Sequence, residues 1–252
     1  RDPLWSRGLG DVYKRQIPDS SGVAAALTRF GRDGIAVRSG IGLGPCAVYQ
    51  KKKKMKTKPY LEQVHQWPGL GQHIMAQYDA TSIYVYQAYR PAIADYAVQH
   101  QRFGGEFSLS RMSWIKPNFL WMMFRSGWAM KEGQERILAV RLPRTFFDEL
   151  LRTAVASSFA ASGYASQQEW RDHMAQSEVR LQWDPDHDPT GKAIERRAIQ
   201  LGLRGNMLKR YAEQEALSID DVTDFVAQQR EHAMQNFREL IVPEERPYIP
   251  IA

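Results

Sequence analysis

Apolar and polar positions follow several distinct rhythms along this chain. From Thr81 to Arg90 the run TSIYVYQAYR is rich in β-branched and aromatic residues, which predicts a strand. Pro91 ends it and suits the first position of a helix. In the AIADYAVQHQRF that follows, Ile93, Tyr96, Ala97 and His100 share one helical face, and Gly104-Gly105 breaks the segment. Within FSLSRMSWIKPNFLWMMFRSGW (107–128) a helix is expected to open at Pro117, run to about Arg125 and stop at Gly127. QERILAVRL (134–142) reads as a well-buried strand, Pro143 breaks it, and RTFFDELLRTAV supplies another helix. Period-two alternation then returns twice. Val179, Leu181 and Trp183 alternate with Arg180 and Gln182; Ile199, Leu201 and Leu203 alternate with Ala198, Gln200 and Gly202. These two runs predict a hairpin across the turn-forming DPDHDPTGK. Ser218-Ile219-Asp220-Asp221 is expected to cap a helix through Gln235, and residues 241–252, which include VPEERPYIPIA, to form an extended Pro-rich tail. The elements lack a regular βαβ rhythm. The expected fold is therefore α+β: a single compact domain over 55–240 with a mixed, mostly antiparallel sheet and flanking helices.

Before Met55 no such rhythm is sustained. RDPLWSRGLGDVYKRQ resembles a translated cloning adaptor, the Gly- and Ser-scattered stretch after it resembles translated upstream sequence, and Lys51–Lys54 matches an A-rich run before a start codon. Residues 1–54 are expected to be a non-native or disordered leader. A transit peptide fits less well, because Asp2, Asp11, Asp19 and Asp33 are acidic. This boundary changes the meaning of the charge. The whole chain carries a net charge of +6, but residues 1–54 hold 11 of its 34 basic and 4 of its 28 acidic residues. From Met55 onward the balance is 23 basic to 24 acidic, so no global field argues for a polyanionic partner. The single cysteine, Cys46, also precedes Met55, which leaves the domain without disulfides, thiol nucleophiles or thiolate metal sites. No apolar run approaches the roughly 18 residues of a membrane helix. A soluble, cytoplasmic protein with no membrane association is expected.

Four groups of residues could carry chemistry. On a regular strand Tyr84, Tyr86 and Arg90 share one face, which would suit a phosphate and a planar base; the plain alternative is a half-buried strand with a surface ion pair. Arg111, Trp114, Lys116, Trp121, Arg125 and Trp128 mix cations with bulky rings. Trp121 is expected in the core, and the cations need either acids of this chain or an anionic ligand. Asp184, Asp186, His187 and Asp188 sit in one turn-rich segment, where an ordinary turn is favoured over a metal site or an acid/base role. Arg180, Gln182, Arg196, Gln200 and Arg204 form the polar side of the hairpin, either a solvated face or the wall of a cleft. No P-loop, GxGxxG, GxSxG or HExxH pattern is present.

The strings VYQAYRPAIADYAVQHQRFGG, FSLSRMSWIKPNFLWMMFRSGW, QERILAVRL and VRLQWDPDHDP…ERRAIQLGLRG resemble the domain-of-unknown-function family numbered 4291, from about Pro59 to Arg230. That family name implies no reaction. The order of parts also resembles the ADP-ribosyltransferase fold. There an early strand ends in a residue that holds NAD, a later one offers a Ser or aromatic near the nicotinamide ribose, and a late strand carries a Glu on the ribose hydroxyl. Here the matching positions are Arg90, Ser108 or Ser110, and Gln200. The departure is Gln200, which lacks the expected negative charge; Glu195 or Asp184 would have to supply it.

The expected function is NAD-dependent ADP-ribosyl transfer in a nucleotide-binding cleft. Its catalytic set would be Gln200, Glu195 and Asp184. Its ligand-binding set would be Tyr86, Gln87, Arg90, Ser108, Ser110, Trp114, Lys116, Arg125 and Arg196, with no metal. Two other functions fit the sequence: a non-catalytic module that binds nucleic acid or protein, and a metal-assisted hydrolase using the 184–188 loop.

Overall fold

The computed structural model describes residues 54–251. The expectations for the leader before Lys54, and for Cys46, lie outside the described residues. In chain order the elements begin with β1 (Thr57–Pro59), α1 (Tyr60–Val64), β2 (Gly71–Gln72), β3 (Met75–Ala76), β4 (Ser82–Tyr89) and α2 (Pro91–His100). They continue with β5 (Ser113–Ile115), α3 (Phe119–Ser126), β6 (Arg136–Pro143), α4 (Arg144–Thr153), β7 (Val155–Ala156) and α5 (Gln167–Gln176). The last are β8 (Val179–His187), β9 (Ala193–Leu203), α6 (Gly205–Glu213), β10 (Ser218–Asp221), α7 (Thr223–Gln235), β11 (Ile241–Pro243) and β12 (Arg246–Pro247).

Two sheets organise a single α+β domain. In the first, β6 is central, with β4 antiparallel on one side from Ser82↔Pro143 to Tyr89↔Arg136 and β10 antiparallel on the other. In the second, β8 and β9 form the long hairpin, β7 runs parallel to β8, and β2 and β5 pair with the free side of β9. One backbone bridge joins the sheets: Tyr86 N donates to Lys116 O at 2.7 Å and Lys116 N to Tyr86 O at 3.3 Å. Beyond it the Gln87 side chain takes over, donating to Trp114 O at 3.1 Å and Ser113 Oγ at 2.9 Å. A side chain spans a gap that backbone pairing no longer closes, and the strands part there.

The rich apolar run of β4 is explained by burial on both faces. Ile83 and Val85 enter the main core with Leu138, Val140, Leu201 and Tyr211. Tyr84 and Tyr86 enter a second core with Phe119, Met122, Trp128 and Val226. Trp121 is buried, as expected. The helix α3 starts two residues later than Pro117 suggests. Asn118 caps it, accepting from Trp121 N at 2.6 Å, and Gly127 ends it at φ 58°.

Three regions differ from the sequence expectation. Ser218–Asp221 is a strand rather than a cap, because all four residues pair with β6; Asp221 still serves α7 by accepting from Thr223 N at 2.8 Å. The segment DPDHDP is mostly strand: β8 runs on to His187 through a register shift near Pro185, leaving only five residues before β9. The tail is extended, as expected, but it is also woven in. β11 pairs with β1, β12 with β3, and Tyr248 is buried in the main core.

Candidate functional site

Where the sheets part lies a cleft of about 780 Å³, a volume typical of small-molecule sites. The end of β4 supplies Gln87, Tyr89 and Arg90. The loop before β5 supplies Glu106, Ser108 and Arg111, and β5 and the residue after it supply Ser113, Trp114 and Lys116. Arg125 comes from α3, Glu132 to Gln134 from the loop before β6, and Gln182 and Gln200 from the hairpin.

The floor is a hydrogen-bond network, buried at Tyr211 and Gln87 and half-buried at Tyr89 and Ser113. Tyr211 OH donates to Gln87 Oε1 at 2.6 Å, Gln87 Nε2 donates to Ser113 Oγ, and Tyr89 OH lies 2.9 Å from the same Ser113 oxygen. Burial pushes the Tyr89 phenol well above its ordinary range, so it stays protonated as a hydrogen-bonding group. Trp114 packs across Gly202. A Cβ on that glycine would stand 2.6 Å from Met112 Sδ and 3.0 Å from the Trp114 ring, so the lack of a side chain there seats the indole.

On the hairpin wall Gln182 and Gln200 stand opposite each other. Both donate to one carboxylate: Gln182 Nε2 to Asp184 Oδ1 at 2.8 Å and Gln200 Nε2 to Asp184 Oδ2 at 2.7 Å. At the mouth Arg90 pairs with Glu106 at 2.5 Å, both side chains about half exposed at 55%. Arg111 and Arg125 have no ion pair among the described residues. Lys116 is 6% exposed, and burial, reinforced by Arg125 and opposed by Asp184, brings its amine down to about 7. The cleft therefore offers guanidinium groups for phosphate, an indole face for a planar ring, and amides for hydroxyls.

Of the sequence-selected residues, Gln87, Arg90, Ser108, Trp114, Lys116, Arg125 and Gln200 line this cleft together. Ser110 stands just outside, its Oγ 3.0 Å from Ser108 Oγ, and Asp184 sits behind the two glutamines. Three others lie elsewhere. Tyr86 is fully buried in the second core, because the face of β4 chosen from sequence points into α3. Glu195 is exposed on β9, away from the cleft. Arg196 is sealed in a buried ion pair with Asp186 at 2.6 Å, with Pro68 O accepting from Nη1 at 3.0 Å and the Trp67 ring alongside. Arg180 and Arg204 also leave the cleft. They donate to the carbonyls of Met174 and Ser177 at the C-terminus of α5, whose partners they supply.

Tyr89, Ser113 and the Glu132–Gln134 loop were not selected from sequence. Period two on β4, read outward from Gln87, could have found Tyr89; nothing in the local sequence marks the other two. The acidic segment does not converge. Asp186 is held by Arg196, and Asp188 Oδ1 accepts from Thr190 N and Lys192 N. Among the described residues no cluster of His, Cys, Asp and Glu is arranged to hold a metal ion. Nor is any helix among them long and apolar enough to cross a membrane.

Fold and cleft together define an α+β protein with a cation-rich, ring-receptive pocket at the parting of two sheets. The chain belongs to the family described as Domain of unknown function (DUF4291), which matches residues 73–248. That match includes every residue lining the cleft. No curated protein matches the chain.

Proposed function

We propose that the cleft binds NAD as a substrate and transfers its ADP-ribose to an acceptor. The observation that carries this reading is convergence: Arg90 at the end of β4, Ser108 in the loop before β5 and Gln200 on the distant β9 line one cleft of dinucleotide size. The donor set fits the ligand. Arg90, Arg111 and Arg125 suit a pyrophosphate, Trp114 suits a stacked ring, and Gln182 and Gln200 suit ribose hydroxyls. The carboxylate missing at position 200 is available from Asp184, one hydrogen bond away. Its negative charge can stabilise the cationic ribose that forms as nicotinamide departs.

Calorimetric titration of NAD into the protein tests the reading. Saturable heat is expected, reduced at least about tenfold in affinity by Arg90→Ala with stability unchanged. Absence of heat from the unaltered protein would overturn it.

A further inference from the structure

Among the described residues one amine lines the cleft, and its surroundings are unusual. Lys116 directly follows β5, and its backbone makes both hydrogen bonds of the bridge to Tyr86, so its position is fixed. Its side chain is 6% exposed. Among the described residues Nζ has one hydrogen-bond acceptor, Trp114 O at 3.4 Å, and lies 5.1 Å from the centre of the Trp121 ring. No carboxylate forms an ion pair with it among the described residues. A buried ammonium without a counter-ion is costly, whereas a neutral amine with a lone pair facing the cleft is not.

The charged groups around it come from several elements. Arg125 on α3 disfavours the ammonium and Asp184 on β8 favours it, with burial the largest influence. Around the rest of the cleft stand Arg90, Arg111, Glu106 and Glu132. Arg90 and Glu106 neutralise each other at the mouth, and Glu132 is exposed. Among the described residues no histidine lines the cleft, and the Tyr89 hydroxyl is engaged by Ser113. Of the described titratable groups lining the cleft, Lys116 alone combines burial with freedom from an ion pair or a hydroxyl partner, which suits it to accept a proton.

On the reading proposed above, we infer that Lys116 is the catalytic base of the transfer, its amine accepting the proton of the incoming hydroxyl or amine of the acceptor. The acceptor heteroatom bonds to the ribose carbon that carries nicotinamide. The bond from that carbon to the nicotinamide nitrogen breaks, and its electron pair leaves with neutral nicotinamide. The acceptor proton moves to Lys116 Nζ, and the resulting ammonium returns it to water through the cleft mouth. Asp184, behind the two glutamines of the hairpin wall, favours that transient ammonium. The acceptor therefore enters on the Trp114–Lys116 side.

The amine is tested first on the unaltered full chain. Pyridoxal 5′-phosphate, an aldehyde bearing an anion, is added at pH 7.5, the imine is reduced with borohydride and the peptides are mapped. Lys116 is expected to be labelled about tenfold faster than exposed lysines such as Lys209, and NAD is expected to protect it. Labelling of exposed lysines with Lys116 untouched would overturn the inference. The second arm is Lys116→Arg, which keeps the positive charge but does not deprotonate. NAD affinity is expected within about threefold of the parent, with turnover down about 100-fold and the limb of the pH–rate profile near 7 abolished. NAD binding with turnover and that limb intact would overturn the base role alone. Failure of the parent protein to bind NAD would overturn the proposed function and the base role with it. If Lys116→Arg does not fold, the labelling result on the unaltered chain decides.

Discussion

Gln200 donates from Nε2 to Asp184 Oδ2 at 2.7 Å, so an uncharged amide on the cleft wall is bonded directly to a carboxylate. The pairing follows from strand geometry. Gln182 and Gln200 are direct cross-strand partners, and Asp184 is two residues along β8 on the same face. Asp184→Asn keeps the shape and removes the charge. On the proposed function, it is expected to reduce turnover of NAD by about 100- to 1,000-fold while changing NAD affinity only a few-fold. Steady-state rates beside calorimetry check this. An equal loss in both quantities would assign Asp184 to binding instead.

Arg90 meets Glu106 across the cleft mouth, and both side chains are about half exposed. An ion pair so accessible to water contributes little to folding. Glu106→Gln is therefore expected to change stability by less than about 0.5 kcal/mol in urea unfolding. The same change releases Arg90 toward an anionic ligand. Affinity for ADP is expected to rise, and to become more sensitive to added salt, when followed by calorimetry at two ionic strengths.

Much of the fold is legible in the sequence because its signals are local. Pro91 and Gly127 mark the start of α2 and the end of α3, and the alternation around Leu181 and Leu201 gives the long hairpin. Other elements depend on distant partners. Ser218–Asp221 has two acids in four residues and forms a strand only because β6 offers its edge. The helix α5 buries no residue, so it shows no apolar stripe; Ser166 caps its start, accepting from Glu169 N at 3.1 Å, and Arg180 and Arg204 cover its last carbonyls. The site divides in the same way. Residue type found Arg90, Trp114, Lys116 and Gln200. Which face of β4 meets the cleft was not legible, since Tyr84 and Tyr86 look as suitable for a ligand as Gln87 and Tyr89 until α3 is seen to cover them.

Arg196 shows that a strand guanidinium can be structural. Both it and Asp186 are almost wholly inaccessible, and Asp186 Oδ2 accepts from Arg196 Nε at 2.7 Å. Arg196→Ala would leave a buried carboxylate without its counter-charge, an expected loss of about 3–5 kcal/mol in urea unfolding. Joint replacement by Asp186→Asn and Arg196→Met should cost less, because no lone charge remains. Ligand binding to the folded fraction should be unchanged in either variant, since Arg196 does not line the cleft.

Glu245, between β11 and β12, ties the C-terminal strands to α3. Its Oε1 accepts from Phe119 N at 2.7 Å and its Oε2 from Asn118 Nδ2 at 3.4 Å. Burial pushes its carboxyl up to about 8, despite the bond from Phe119 that favours the charged form. In the unfolded chain the same group titrates near the ordinary 4.5. Between those values the folded protein holds a proton that the unfolded chain has released. Stability is therefore expected to fall as pH rises through that window and to level off above it. The full span corresponds to a contribution on the order of 3–5 kcal/mol. Glu245→Gln retains an acceptor for Phe119 N and cannot ionise, so the difference in unfolding free energy between variant and parent isolates this group from other titrations. Urea unfolding at pH 5, 6, 7 and 8 is expected to show the variant gaining steadily on the parent with rising pH; a constant difference would place the ionised carboxylate in the folded state throughout.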